Sequence, residues 1–307
     1  MRKIIVFGSI NIDLVTKTLR LPRAGETLQG SQFFTVPGGK GANQAVAAAR
    51  LGVSTQMIGR LGDDDFGHQL LSSLQAAGVN TDGIVFDQKT SSGVAVIAVD
   101  EQGENSIIIV AGANERLDEV DVERLKRLLP EASFLLMQLE IPLPTVLLAA
   151  QAAKLSGVPV ILDPAPAQDI PTQLYPLLDI ITPNQLEASQ LVGFPVNNRE
   201  TAAKAAEVLR ERGVCTAIVK LGCQGVYCAT KAESFFVPAF SIQAVDSVAA
   251  GDAFNGALAV ALAQGLPLRQ ALVWGSAAGA ISATKAGAQP SLPNRKTLDA
   301  FLQERSY

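Results

Sequence analysis

Compact apolar runs alternate with amphipathic stretches along most of the chain. Residues 3–9 form the first run and end in Gly-Ser, the pattern of a buried parallel strand whose C-terminal end opens onto a site. Further strands are predicted over 54–59, 134–138, 158–163, 179–182 and 216–221, and helices over 66–77, 120–129, 144–156, 199–212, 267–285 and 296–305. Such alternation predicts right-handed crossovers and a mostly parallel sheet sandwiched by helices, an α/β fold. Two stretches break the rhythm. Residues 14–36 are short alternating pieces around Pro22 and Gly25, and residues 92–110 read as a hairpin about Asp100 to Gly103. Together they predict a small sheet covering one end of the main body. No linker, repeat or low-complexity run divides the chain, so one domain over 1–307 is expected, carrying a β lid built from about 14–36 and 92–110.

Composition narrows the function. A hydrophobic share of 48% with 18% charged residues excludes disorder, and a net charge of −4 without a Lys/Arg cluster argues against nucleic acid. The apolar run after Met1, Arg2 and Lys3 is too short for a signal peptide, and no segment reaches membrane-spanning length, so a cytoplasmic protein with no membrane partner is expected. Cys215, Cys223 and Cys228 then read as reduced thiols without metal-knuckle spacing. His68 is the single histidine, on a predicted surface helix, which excludes His-based triads.

The richest chemistry lies between Ala244 and Gly265. Phe254, Leu258 and Leu262 recur every four residues among alanines and Gly265 supplies a stop, so the second half is helical. Small residues Ala249, Ala250 and Gly251 leave the first-turn amides uncovered, and these with the helix dipole can meet an anion. Asp252 sits among them. It is either an ordinary acidic residue at a helix start or a general base beside an anion hole. A second glycine-rich turn, Gly38-Gly39-Lys40-Gly41-Ala42-Asn43-Gln44, opens an alanine-rich helix and again aims amides at a site. It fits neither a Walker loop nor a dinucleotide fingerprint, which makes a nicotinamide-dependent oxidoreductase a poor alternative.

Polar residues follow the predicted strands. Asn11 and Asp13 lie just past the first, as ligand contacts or an Asx turn, and Glu140 and Asp163 follow later ones, where ligands or ordinary loops are found. Asn184 and Glu187, three apart, are a capping pair or a shared ligand face.

The segments 38–45 and 246–257 closely resemble the two signatures of the ribokinase family of carbohydrate kinases, in the right order about 200 residues apart. The resemblance spans essentially the whole chain. It implies a ribokinase-like three-layer αβα sandwich with a lid sheet, and ATP-dependent phosphorylation of D-ribose at its 5-hydroxyl. Asp252 would be the base and the amides of Ala249, Ala250, Gly251 and Asp252 the anion hole. Asn11, Asp13, Gly39, Lys40, Gly41, Ala42, Asn43 and Glu140 would hold the sugar, with Asp163 as a support residue. ATP would take Asn184, Glu187, the loop Lys220, Leu221, Gly222, Cys223, Gln224 and Gly225, then Gly251 and Ser276, with Mg2+ organised by Asn184 and Glu187. A small hydroxyl residue is more usual at 220, so Lys220 contacts a phosphate or points to solvent. The resemblance further implies K+ bound by Asp246, the backbone of Val248, Lys285 and Gly287, and the hydroxyls of Ser282 and Ser291, and a homodimer through the lid sheets. Related kinases of deoxyribose, fructose or nucleosides are the near alternatives; a non-catalytic sugar-binding regulator is the distant one.

Overall fold

The computed structural model describes residues 3–305; Met1 and Arg2, which lead the first apolar run, lie outside the described residues. The strands are β1 (Lys3–Phe7), β2 (Asn11–Lys17), β3 (Gln32–Gly38), β4 (Thr55–Gly62), β5 (Asn80–Asp87), β6 (Gly93–Val99), β7 (Asn105–Val110), β8 (Ala132–Met137), β9 (Val160–Leu162), β10 (Ile180–Ile181), β11 (Thr216–Lys220), β12 (Gly225–Ala229) and β13 (Ser234–Pro238). The helices are α1 (Lys40–Arg50), α2 (Asp65–Ala76), α3 (Glu119–Leu128), α4 (Leu143–Leu155), α5 (Gln185–Val192), α6 (Arg199–Glu211), α7 (Ala250–Ala263), α8 (Leu268–Ala283) and α9 (Arg295–Gln303).

The main sheet runs β13-β12-β11-β10-β9-β8-β1-β4-β5, and a separate four-stranded sheet runs β3-β2-β6-β7. From β5 to β11 every pairing in the main sheet is parallel; β12 and β13 add an antiparallel edge. Side chains alternate between two cores, as a strand buried on both faces requires. Ile4, Val6, Leu136, Ile161 and Ile218 pack with α1, α2, α7, α8 and α9. Ile5, Phe7, Leu135, Met137, Leu162 and Val219 pack with α3, α4, α5 and α6. Each such fully buried side chain contributes roughly 2–3 kcal/mol, and their alternation fixes the three layers.

Strand order reverses at β1 and β8: the chain moves from β1 outward to β4 and β5, then returns to β8 on the opposite side and continues to β11. Outside the carboxyl ends of two such strands lies the crevice where open α/β sheets bind ligands. Glycine and alanine let α1 and α7 pack closely above it. A Cβ on Gly256 of α7 would sit 2.5 Å from that of Ala47.

The separate sheet comes from the two predicted stretches, with differences. Residues 18–31 between β2 and β3 form no strand, and Asn11 and Asp13, read as following the first strand either as ligand contacts or as an Asx turn, lie within β2 itself. Pairing explains this: β2 joins β3 and β6 from Asn11 onward, so its first polar residues become ladder residues. Three strands escaped prediction. β5 is a half-exposed edge with a polar start and a glycine, so it has no apolar run, and the β12–β13 hairpin is antiparallel where the pattern promised only crossovers. Among the described residues no helix is long and apolar enough to cross a membrane.

Candidate active site

Asp252 sits in the first turn of α7 and is 5% exposed. Asn43 Nδ2 donates to its Oδ2 at 3.0 Å and Gln44 Nε2 to its Oδ1 at 3.1 Å, so both glycine-rich segments converge on one carboxylate. Burial pushes its pKa up to about 6; Lys40 and the two amides pull down and Asp163 pushes up, leaving it able to exchange a proton near neutrality. Ala249 precedes the helix with φ 61, a left-handed conformation costing an alanine about 1 kcal/mol. Among the described residues the amides of Ala249, Gly251 and Asp252 meet no acceptor. The expectation of four free amides is corrected at one position: Ala250 donates to the Ser247 carbonyl at 3.2 Å, closing the turn that leads into α7.

A second correction concerns α1, whose first amides do not face open space. Lys40 N donates to Glu140 Oε2 (3.0 Å), Gly41 N to Ser9 Oγ (3.2 Å) and Ala42 N to the Ser9 carbonyl (2.9 Å). This helix start is packed onto the ends of β1 and β8, and buried amides need protein acceptors there. Gly39 makes the approach possible, with φ 86 and no room for a Cβ, which would lie 2.6 Å from Asn11 N. Glu140 is thereby a capping acid with one oxygen committed; Ser9 Oγ donates to that same oxygen at 2.5 Å.

Asp13 and Lys40 nonetheless lie within electrostatic reach of both Glu140 and Asp252. Burial, then Glu140 and Asp252, raise Asp13 to about 7, with Lys40 opposing. Burial alone would lower Lys40, but Asp252, Glu140, Asp163 and Glu187 together raise it, and its ammonium makes no direct ion pair among the described residues. That leaves a cation free for a ligand. A cleft of about 350 Å³ reaches Glu140 and Asn11, lined also by Ile109, Asn114 and Gln168, while Asp13, Lys40 and Asp252 lie outside its lining. Its size suits a monosaccharide. A larger, more open groove of about 500 Å³, along Glu207 and Arg210, lies away from all of these residues.

On the other flank, Asn184 and Glu187 form a capping box on α5. Asn184 Oδ1 accepts from Glu187 N at 2.9 Å, Glu187 Oε2 accepts from Asn184 N, and Asn184 Nδ2 donates to Oε1, both at 2.7 Å. Burial, then Asp163, raise Glu187 to about 7. Lys220 does not point to solvent: its Nζ is 2.9 Å from Asp163 Oδ1, with side-chain exposures of 13% and 4%. A Cβ on Gly251 would lie 3.4 Å from that nitrogen, so Lys220 stands beside the bare start of α7. Leu221 to Gly225 make a tight turn, closed by Leu221 N donating to the Gly225 carbonyl at 2.8 Å, with Cys223 exposed and Gln224 Nε2 tied to the Asn197 carbonyl at 2.9 Å. On α8, the buried Ser276 hydroxyl has no partner among the described residues.

Asp246 ties the loop before α7 to the end of α8, its two oxygens accepting from Val248 N and Gly287 N at 2.9 Å each. Ser282 and Ser291 meet through their hydroxyls at 2.7 Å, and Lys285 N donates to the Ser282 carbonyl. Asp246, Val248, Lys285, Gly287 and Ser291 thus lie in two adjoining loops and Ser282 in the last turn of α8, a carboxylate and two hydroxyls of the kind that could hold a large monovalent cation. Among the described residues no cluster of three acids, cysteines or histidines could hold a metal. One carboxylate and one amide fit an ion carried chiefly by phosphates and water.

Some participants have no signal in sequence motifs. Ser9 links β1 to Glu140, and Asn114 donates to Asn11 Oδ1 at 2.7 Å while accepting from Ile10 N. Gln138 orients Gln44. Each is a lone polar residue at a strand or loop end, and only its position near a motif residue distinguishes it.

A three-layer α/β body with a separate small sheet, and a buried carboxylate at a bare helix start, define a site able to transfer a group to a hydroxyl. The pfkB family carbohydrate kinase model matches residues 1–295. The chain is 43% identical to a ribokinase of Haemophilus influenzae, over 99% of both chains, and 37% identical to a deoxyribokinase of Salmonella typhimurium, over 97% and 98%. Its fold matches that of Arabidopsis thaliana ribokinase complexed with ribose and ATP, with a TM-score of 0.91 and 35% identity over 98% and 99% of the chains. The chain belongs to the pfkB family of carbohydrate kinases.

Proposed function

We propose that the chain phosphorylates D-ribose at its 5-hydroxyl, using ATP and releasing ADP. The observation that carries this reading is the seating of Asp252, held by Asn43 and Gln44 at a helix start that keeps free amides. Asp252 takes the hydroxyl proton as the 5-oxygen bonds to the γ-phosphorus and the bridge to ADP breaks. Amides of Ala249, Gly251 and Asp252 receive the charge on the transferring group, joined by Ala250 if its turn opens. Asn11, Asp13, Lys40, Asn43 and the uncommitted oxygen of Glu140 hold the sugar, while Gly39, Gly41 and Ala42 shape the floor of its pocket rather than donate to it.

Lys220 meets a phosphate of ATP, whose base lies along Leu221, Gly222, Cys223, Gln224, Gly225 and Ser276. Asn184 and Glu187 would hold Mg2+, which would supply charge neutralisation for the polyphosphate. Asp246, which already ties the loop before α7 to Gly287, would with its neighbours hold K+, whose charge would steady that loop. The lid sheet excludes water from the reacting groups. The face of the lid sheet that carries Val96 and Ile108 also exposes Phe33, which supports a homodimer joined lid to lid.

A second reading, 2-deoxy-D-ribose as substrate, is favoured by the similarity to the deoxyribokinase. An ADP-coupled assay with D-ribose, 2-deoxy-D-ribose, D-fructose and adenosine decides. The proposal expects the highest kcat/KM on D-ribose. A higher value on deoxyribose selects the second reading, and no ADP release with any acceptor sinks both.

A further inference from the structure

Gln44 touches two carboxylates at once. Its Nε2 lies 3.1 Å from Asp252 Oδ1 and 3.0 Å from Asp163 Oδ2, and the residue is 1% exposed. Carboxylates only accept hydrogen bonds, so the amide must turn its NH2 toward the acids, one hydrogen to each. Its Oε1 then faces the other way, where Gln138 Nε2 donates to it at 2.7 Å. The same logic fixes Gln138, whose own Oε1 is left without a partner. A Cβ at Gly8 would lie 2.1 Å from Gln138 Oε1, so a larger residue there would displace this amide. The relay thus runs from the end of β1 through the end of β8 and α1 to the base.

We infer that Gln44, oriented by Gln138, is a positioning residue for Asp252 in phosphoryl transfer. Asn43 holds one carboxylate oxygen and Gln44 the other, so the plane of the carboxylate is fixed before a hydroxyl arrives. The second hydrogen of Gln44 goes to Asp163, whose other oxygen holds Lys220. Base and phosphate-side cation are thereby held at a set separation. The groups facing Asp252 are Lys40 on α1, Asp13 on β2 and Asp163 after β9, so it sits among one cation and two acids. Neutral donors stabilise the charged base without adding a competing charge.

The inference rests on Asp252 being the base, and the experiment keeps the two apart. In Gln44→Leu, similar in shape and without the amide, kcat should fall about 10-fold, the factor carried by one hydrogen bond to a charged group. Sugar affinity, read by calorimetry, should change less than about 3-fold, since Gln44 is kept for transition-state alignment rather than uniform binding. The acid limb of kcat should move to higher pH, because a lost donor makes the base hold its proton more tightly. Gln138→Leu should shift the limb the same way by a smaller amount. A folded Gln44→Leu enzyme with wild-type kcat and an unmoved limb overturns the inference; should that variant fail to fold, an unmoved limb in Gln138→Leu does so. If Asp252→Asn itself retains turnover, the reading of the base has failed instead.

Discussion

The side-chain amide of Asn43 donates to Asp252 Oδ2 at 3.0 Å although 209 positions separate the two residues. Two glycine-rich segments, each ordinary as a turn, thus meet at one buried carboxylate. Asp252→Asn keeps the shape but cannot take a proton, and it sets an NH2 group against donors from Asn43 and Gln44. Turnover should fall by ~10² or more, the scale of losing a general base. Ribose affinity by calorimetry should stay within a few-fold. Near-normal turnover would remove Asp252 from the role.

Activity and stability should respond to acid in opposite directions. Asp252 is raised to about 6 and Asp13 and Glu187 to about 7, chiefly by burial, all above their ordinary range. The base works deprotonated, so kcat/KM for the sugar should fall as pH drops from about 7 to 5. The same raised values mean that the ligand-free fold binds these protons more tightly than the unfolded chain does. Their contribution to its stability is therefore present near pH 4 and lost as pH rises through 6 to 7. Carboxylates held below their usual range, such as Asp64 and Asp118, oppose this only under more acidic conditions. Melting of the ligand-free protein at pH 5 and pH 8 checks the sign. A higher Tm at pH 8 would contradict it.

Local pattern made much of this legible. Compact apolar runs and a period of four predicted the layers because β1, β8 and α7 are determined by their own burial. Asp252 and Asn43 were legible because each lies within a short signature. What escaped depends on pairing at a distance. Nothing near Lys220 marks Asp163, 57 positions earlier, as its partner, so the lysine could be read as solvated. The α1 amides could be read as open, since Ser9 and Glu140 reach them only after β1 and β8 come together. β5 shows the same limit: an edge strand is specified by its neighbour β4 more than by its own residues.

Asp246 links the loop before α7 to Gly287 and offers the single carboxylate of the proposed cation site. Asp246→Ala should abolish stimulation of turnover by K+, leaving the basal rate measured without K+ within a few-fold of the parent. Retention of the parent's K+ response would place the cation elsewhere. The melting temperature of the parent should rise on adding K+, by the mass-action stabilisation any ligand of the native state gives, and the variant's should not.

The buried pair of Asp163 and Lys220 separates a role in folding from one in catalysis. Removing the cation alone, Lys220→Met, strands a carboxylate that is 4% exposed in its side chain. Such an uncompensated buried charge costs about 3–5 kcal/mol, read as a lower denaturant midpoint. Converting the acid as well, Asp163→Asn with Lys220→Met, removes both charges, while the introduced amide can still accept from Gln44 through its carbonyl. Most of the stability should return. If Lys220 meets a phosphate, the double variant should keep a KM for ATP raised roughly 10-fold, as expected for a lost charge-assisted contact. Recovery of stability together with a normal KM for ATP would make the pair purely structural.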